Sequence, residues 1–142
     1  MTKAGILTML CGCVLLMDAP ASGGDALPAD CNDAMTQMDM NACAAADYEK
    51  ADKALNARWL ATKKAAAAWD RRARSEEQPR GAEDHLLKAQ RAWLAYRDSQ
   101  CAAEGFTVGG GSMQPMVVSA CLADLTRKRT EELATLADSF GN

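Results

Sequence analysis

A chain of 142 residues is long enough to bury one hydrophobic core, and no internal repeat divides it. Its formal net charge of −3 is neither the footprint of a nucleic-acid-binding protein nor a polybasic membrane patch. One histidine and the lack of a C-x-x-C pair leave no zinc-site spacing. We therefore expect no cofactor and no nucleic-acid partner.

The first 21 residues have the pattern of a secretory signal peptide. Lys3 supplies the positive end, residues 6–17 form a mostly apolar run too short to span a bilayer, and Ala19-Pro20-Ala21 offers small residues for cleavage. The alternative is lipidation near Cys11 or Cys13, but a lipidation box normally closes the apolar run and this one interrupts it. We predict an exported, periplasmic protein that is not a lipoprotein and has no transmembrane segment after signal removal.

The mature chain is predicted to begin with an exposed lead-in over residues 22–35, which are rich in Gly, Ala, Asp and Pro. The helical domain follows over residues 36–140. Thr36 and Asp39 have the spacing of a capping box, which predicts a helix start at residue 37. An apolar stripe at three- and four-residue spacing extends this first helix to about residue 70.

Two further helices are predicted downstream. Residues 71–81 lack periodicity and include a proline and a glycine, which indicates a mobile surface connection before a second helix over about 82–104. Gly105–Gly111 is predicted to be a flexible loop, and Ser112 is the expected N-cap of a third helix that runs to about 138. No stretch alternates as a strand would. The fold class is therefore all-α, an antiparallel three-helix bundle.

Four cysteines remain after signal removal, and an even number in a small exported domain predicts two disulfides. In an up-down-up bundle all four thiols gather at one end. They are Cys31, Cys43, Cys101 and Cys121. Pairing neighbours in sequence is the simplest arrangement, although this geometry permits several. The bundle is thus expected to be stapled at one end.

Asp52, Arg97 and Arg129 are charged residues that lie on the apolar stripes of three different helices. Charges in a core are tolerated when they are paired and hydrogen-bonded. We predict a buried ion network in which Asp52 bridges to Arg97 or Arg129, with Gln90 and Asn56 as candidate supporting members. The alternative is an anion-binding or acid–base site, but one carboxylate without a second acid, nucleophile or metal is a poor catalytic set. We expect no enzyme.

The loop over residues 105–111 carries two apolar residues, Phe106 and Val108. An apolar tip above a disulfide-clamped base suits partner recognition. A plain glycine-rich connector is the alternative. Phe106 and Val108 are accordingly our candidate partner-binding residues.

Five motifs follow one another in an order typical of one known family. They are QMDMNAC at 37–43, ADKALN at 51–56, AQRAWLAYRDSQC at 89–101, GGSMQPM at 110–116 and CLADLTRKRT at 121–130. Together they resemble the LprI-like lysozyme-inhibitor N-terminal domain family over about residues 31–137. The resemblance implies two cysteine pairs, one in each half, which favours Cys31–Cys43 and Cys101–Cys121. It also implies inhibition of lysozyme.

The sequence and the resemblance together predict an exported, non-enzymatic binding protein. Its expected partner is lysozyme, which it would inhibit through the stapled end and the 105–111 loop, helped by the acidic net charge. The alternative is a structural or stress-related envelope protein that binds another envelope protein or a cell-wall component.

Overall fold

The computed structural model describes residues 31–76 and 79–141, and every regular element in those residues is helical. Three long helices form the fold: α1 (Gln37–Ser75), α2 (Ala82–Gly105) and α3 (Gln114–Gly141). Short 3-10 helices precede α1 and follow α2, at Cys31–Asp33 and Phe106–Val108. The predicted all-α bundle is confirmed. The predicted signal peptide and most of the lead-in lie outside the described residues.

The relative direction of α1 and α3 is evident from the hydrogen bonds between α1 and residues 112–140. Three such bonds mark the start, middle and end of the pair: Asn41 to Ser112, Thr62 to Leu133 and Arg72 to Phe140. α1 and α3 therefore run in the same direction, and α2 runs back between them, which is the antiparallel up-down-up order. Thr62 is fully buried, and its hydroxyl donates to the Leu133 carbonyl at 2.9 Å.

The start of α1 is set by the predicted capping box. The Thr36 hydroxyl accepts from the Asp39 N–H at 3.1 Å, and Asp39 Oδ2 accepts from the Thr36 N–H at 3.3 Å. These two bonds satisfy N–H groups that the first turn of a helix otherwise leaves without partners.

The end of α1 corrects the predicted surface connection over residues 71–81. The helix continues to Ser75, because Ala73 is buried and the Arg72 guanidinium donates to the Phe140 carbonyl of α3. Tertiary contacts thus extend a segment whose own sequence has no apolar periodicity. With 39 residues, α1 is about 58 Å long.

The start of α2 is capped from α1. Gly81 takes the N-cap position with a positive φ of 109° and has no side chain to accept a hydrogen bond. Asp70 does so instead: its carboxylate accepts from the N–H groups of Gly81, Ala82 and Glu83 at 2.9, 3.0 and 3.1 Å. These backbone hydrogen bonds lower the pKa of Asp70 below its ordinary 3.8.

The large apolar side chains of the core lie in the half of the bundle away from the disulfides. Leu55, Ala66, Leu86 and Leu133 form its buried centre. Further side chains pack against them, namely Trp59, Trp93, Leu136 and Phe140. We call this half the distal end.

At the opposite end the buried residues are small. Gly105 shows how close the helices come there: a Cβ added to it would lie 2.6 Å from Val118 Cγ2 of α3. A side chain there would force Val118 or the helices to shift. Gly105 is the last residue of α2, whereas the sequence predicted it to belong to a flexible loop.

Candidate functional site: the disulfide end

The disulfide end consists of residues 31–49 and 98–126, the start of α1, the end of α2 and the start of α3. Cys31 bonds to Cys43 and Cys101 bonds to Cys121, with Cα–Cα distances of 5.7 and 5.4 Å. The pairing that the family resemblance favoured is confirmed. The first bond ties the chain before α1 to that helix, and the second joins α2 to α3.

Two side-chain hydrogen bonds add to the disulfides in holding these helix ends together. The Asn41 side chain of α1 donates to the Ser112 carbonyl at 3.0 Å, and Gln37 donates to Asn41 Oδ1 at 2.9 Å. The loop before α3 is therefore tied to α1 as well as to α2. All three helix ends are held within one connected unit.

The predicted partner-binding residues lie on a short, ordered turn. Residues 106–108 form a 3-10 helix, so the predicted flexible loop is wrong in this part. The Thr107 hydroxyl donates to the Glu104 carbonyl at 2.7 Å, and the Gly109 N–H donates to the Phe106 carbonyl at 3.0 Å. The Phe106 side chain is 74% exposed, whereas Val108 is half-buried. Phe106 is thus the more accessible of the two.

More than half of the exposed large apolar side chains in the described part of the chain lie at this end. Of the seven exposed ones among the described residues, four belong to it: Met35, Met38, Phe106 and Met113. Met35 and Met38 are 87% and 65% exposed. From the sequence we interpreted Met35, Met38 and Met113 as gap-filling residues of the stapled end and did not assign them to partner binding.

The charges of the chain are segregated along the bundle. Residues 31–49 and 98–126 contain no lysine or arginine, and all 15 basic residues beyond residue 21 lie elsewhere. The same two segments contain seven acidic residues: Asp33, Asp39, Asp47, Glu49, Asp98, Glu104 and Asp124. The overall net charge conceals this arrangement. Counting charges segment by segment along the predicted up-down-up topology would have found it.

Two arginines immediately outside the disulfide end neutralise part of its charge. Arg127 contacts Asp47 at 2.9 Å and Asp124 at 2.6 Å, and both hydrogen bonds raise the pKa of its guanidinium. Arg97 contacts Asp98 at 2.8 Å. Within residues 31–76 and 79–141, no basic side chain is in ion-pair range of the other four acids at this end.

The three residues of the predicted ion network do not form a single cluster of charges. Arg97 is buried, and its Nη1 lies 3.6 Å from Asp52 Oδ1, with Asn56 donating to Asp52 Oδ2 at 2.8 Å. Arg129 has other partners. The structure therefore brings Asp52 to Arg97 and not to Arg129, and Asp52 itself is only half-buried.

Arg129 pairs within its own helix and with α2. Its Nη1 lies 2.8 Å from Glu132, and its Nε donates to Gln90 Oε1 at 3.0 Å. Arg129 and Arg97 both contact the Trp93 ring. The Arg129 guanidinium lies 5.9 Å from the ring centroid, and the Arg97 guanidinium lies 5.1 Å from it. Such cation–π contacts stabilise charge at an apolar surface. Sequence reasoning missed this role of Trp93.

Tyr48 of α1 forms the remaining wall of this cluster. Its ring centroid lies 5.5 Å from the Arg97 guanidinium. Burial raises the pKa of the Tyr48 hydroxyl above 10.0, more than the nearby Arg97 charge lowers it. The cluster thus joins side chains of all three helices and contains no nucleophile–base pair.

The described part of the chain contains neither a candidate metal site nor a membrane-spanning helix. No group of three histidine, cysteine or acidic side chains there is arranged to hold a metal ion. No helix there has the length and apolar character needed to cross a membrane.

The fold defines a small three-helix domain stapled by two disulfides. The chain belongs to the lysozyme inhibitor LprI family, whose model matches residues 29–133. It is also 47% identical over 130 residues to an uncharacterised protein of Rhizobium meliloti (strain 1021), and the match covers 91% of this chain and 93% of that protein. No solved structure matches the chain.

Proposed function

We propose that this protein is an exported, non-enzymatic inhibitor of lysozyme that binds the enzyme through its disulfide end. Membership of the lysozyme inhibitor LprI family supports the activity. The observation that carries the choice of surface is the exposed Phe106 ring on a turn anchored by Cys101–Cys121.

The proposed mechanism is obstruction. A large aromatic side chain that enters a pocket of its partner commonly dominates a protein–protein interface. Because the turn that carries Phe106 is already ordered, binding costs little of the entropy that a flexible loop would lose. Val108 contributes less, since it is half-buried against its own domain.

Export fits the same proposal. The pattern of residues 1–21 is that of a signal peptide, and disulfides persist in oxidising compartments outside the cytosol. An inhibitor placed in the periplasm meets lysozyme where it reaches the cell wall.

The test is a titration of the oxidised mature protein against lysozyme in a cell-wall clearing assay. We expect stoichiometric inhibition that is lost when the disulfides are reduced. Phe106→Ala should raise the inhibition constant about thirtyfold, because the loss of an aromatic hot spot weakens binding by about that factor. The matched control is Leu60→Ala, which removes an equally exposed apolar side chain from the middle of α1 and should change nothing.

Failure of the oxidised protein to inhibit several lysozyme types would overturn the proposal. The alternative, a structural or stress-related envelope protein, would then be tested by co-purification with cell wall or with another envelope protein.

A further inference from the structure

We infer that the disulfide end is a docking surface for a strongly basic protein, with an apolar centre of methionines and Phe106 and a rim of carboxylates. This inference rests on the proposed function only for its probe, a basic lysozyme. It adds the chemistry of the partner and the residues that recognise it.

The negative charge of the disulfide end favours a positively charged partner. The disulfide end carries seven carboxylates, of which Arg97 and Arg127 at its border pair with three. The remaining acids leave this end with a negative charge, whereas the rest of the chain beyond residue 21 holds all 15 basic residues. Such a negative charge attracts a cationic surface and speeds its association by roughly 10- to 1,000-fold. It repels anionic polymers and anionic lipid. It also repels the same end of a second copy, so a symmetric dimer through this surface is disfavoured.

The apolar side chains give the surface something to bury. Protein interfaces typically have an apolar centre within a polar rim, with methionine and aromatic residues enriched. Three methionines and Phe106 are exposed on the same elements that carry the acids. Methionine adapts its shape to a partner. Charge thus brings the partner to the surface, and apolar contact holds it there.

The segments that carry these apolar and acidic side chains are held in place before a partner binds. Met38 and Glu49 are eleven residues apart, three helical turns, so they project from one side of α1. Asp33 lies in the turn that Cys31–Cys43 fastens to the same helix. The Asn41–Ser112 hydrogen bond keeps the segment containing Met113 beside α1.

The acids without ion pairs are the ones to alter, because the fold does not depend on them. Asp33 and Glu49 are exposed and have no basic partner among the described residues. Glu131 and Asp138 near the end of α3 are exposed in the same way and provide a matched control. Each pair contains one aspartate and one glutamate, so neutralising either pair changes the net charge equally.

The experiment measures association and dissociation of the oxidised protein with a basic lysozyme at low and at physiological salt. The double variant Asp33→Asn with Glu49→Gln should lower the association rate constant roughly three- to tenfold at low salt. The difference should shrink near 0.15 M, where the Debye length is about 8 Å. Glu131→Gln with Asp138→Asn should associate as the unaltered protein does.

Two further measurements test the apolar centre and the sign of the partner's surface charge. Met38→Gln should raise the dissociation rate roughly tenfold, while Leu60→Gln, an equally exposed site on α1, should not. The same lysozyme with its lysines succinylated should no longer bind, because its surface charge is then reversed.

The outcomes separate this inference from the proposed function. If the unaltered protein inhibits lysozyme and the Asp33/Glu49 and Glu131/Asp138 variants associate equally fast, the inference is wrong and the proposed function stands. If the unaltered protein neither binds the basic lysozyme nor inhibits any of several lysozyme types, both are wrong. Growth of oligomers with concentration at low salt, for the protein alone, would show that a second copy's basic residues occupy the surface and would also overturn the inference.

Discussion

At the distal end of the bundle Leu86 and Leu133 pack among tryptophans and Phe140, whereas at the disulfide end the buried residues are two cysteines, an alanine, a threonine and a glycine. Each end is therefore stabilised by a different kind of interaction. Apolar burial holds the distal end. Covalent bonds hold the other end, where the helices meet through small side chains.

This difference has a consequence for the surface. An end that is held by disulfides does not need its large apolar residues in a core, so Met35, Met38 and Phe106 are exposed there. At the distal end the equivalent side chains are required for stability. The disulfide end is thus the part of the molecule that can present apolar groups to a partner without losing its fold.

The largest effect is expected from breaking the distal core. Leu133 is fully buried, and Leu133→Ala should lower the free energy of unfolding by about 3 to 4 kcal/mol, through lost burial and the cavity left behind. Urea unfolding followed by circular dichroism measures this. Leu60→Ala, at a site that is 69% exposed, should cost less than about 0.5 kcal/mol. Equal losses in the two variants would contradict the location of the core.

Removing the covalent bond at the other end should cost slightly less. Cys101→Ala with Cys121→Ala releases a 20-residue connection, which the chain-entropy model values at about 3 kcal/mol. The same change at Cys31 and Cys43 should cost less, because Cys31 is exposed and its bond fastens only a short turn. The urea unfolding midpoints of the two variants compare the stability that each disulfide contributes. The reverse ranking would refute the role given to Cys101–Cys121 in joining α2 to α3.

The close helix crossing provides a third prediction. Gly105→Ala places a methyl group against Val118 and should destabilise the protein by about 1 to 3 kcal/mol, as overpacking does. Gly141→Ala meets nothing within 4 Å and serves as the control. Thermal unfolding of both variants checks this, and a stabilised Gly105→Ala protein would show that the crossing is looser than described.

A smaller effect with a pH signature is expected at Asp70. Its pKa is lower in the folded protein than in the unfolded chain, so its contribution is present above pH 3.8 and is lost as the pH falls through the lowered folded value. Asp70→Asn should lower the urea midpoint at pH 7 and differ little from the unaltered protein at pH 2. Asp138→Asn should behave as the unaltered protein at both. A pH-independent loss in Asp70→Asn would rule out the capping carboxylate as its cause.

The smallest effect is expected at Asp52. Its ion pair with Arg97 is long at 3.6 Å, Asp52 is half-buried, and Arg97 keeps contacts with Asp98 and Trp93. Asp52→Asn should therefore cost less than about 1 kcal/mol. An unchanged melting temperature would remove Asp52 from the proposed network, and a loss above 3 kcal/mol would show that Arg97 depends on it.

The sequence predicted those features that local pattern determines. The capping box at Thr36, the three helices and the two disulfides follow from periodicity, spacing and family resemblance, and the structure contains them. The extension of α1 to Ser75 and the capping of α2 by Asp70 depend on contacts between distant residues. No local pattern records such contacts.

The disulfide end was predicted in outline and missed in chemistry. Phe106 was identified from its place in a loop, but the exposure of the methionines at the same end and the absence of basic residues there were not. Their significance appears when three separate segments are seen to meet. Net charge averages over the whole chain and hides this segregation.

The most direct test of the account is a map of the lysozyme contact on the protein. Chemical shift changes of the ¹⁵N-labelled oxidised domain, titrated with a basic lysozyme, locate that contact residue by residue. We predict that the perturbed amides cluster in residues 31–49 and 98–126, with Phe106 among them. Perturbations that cluster instead at the distal end, or a titration without any change, would contradict the central claim that the disulfide end binds lysozyme.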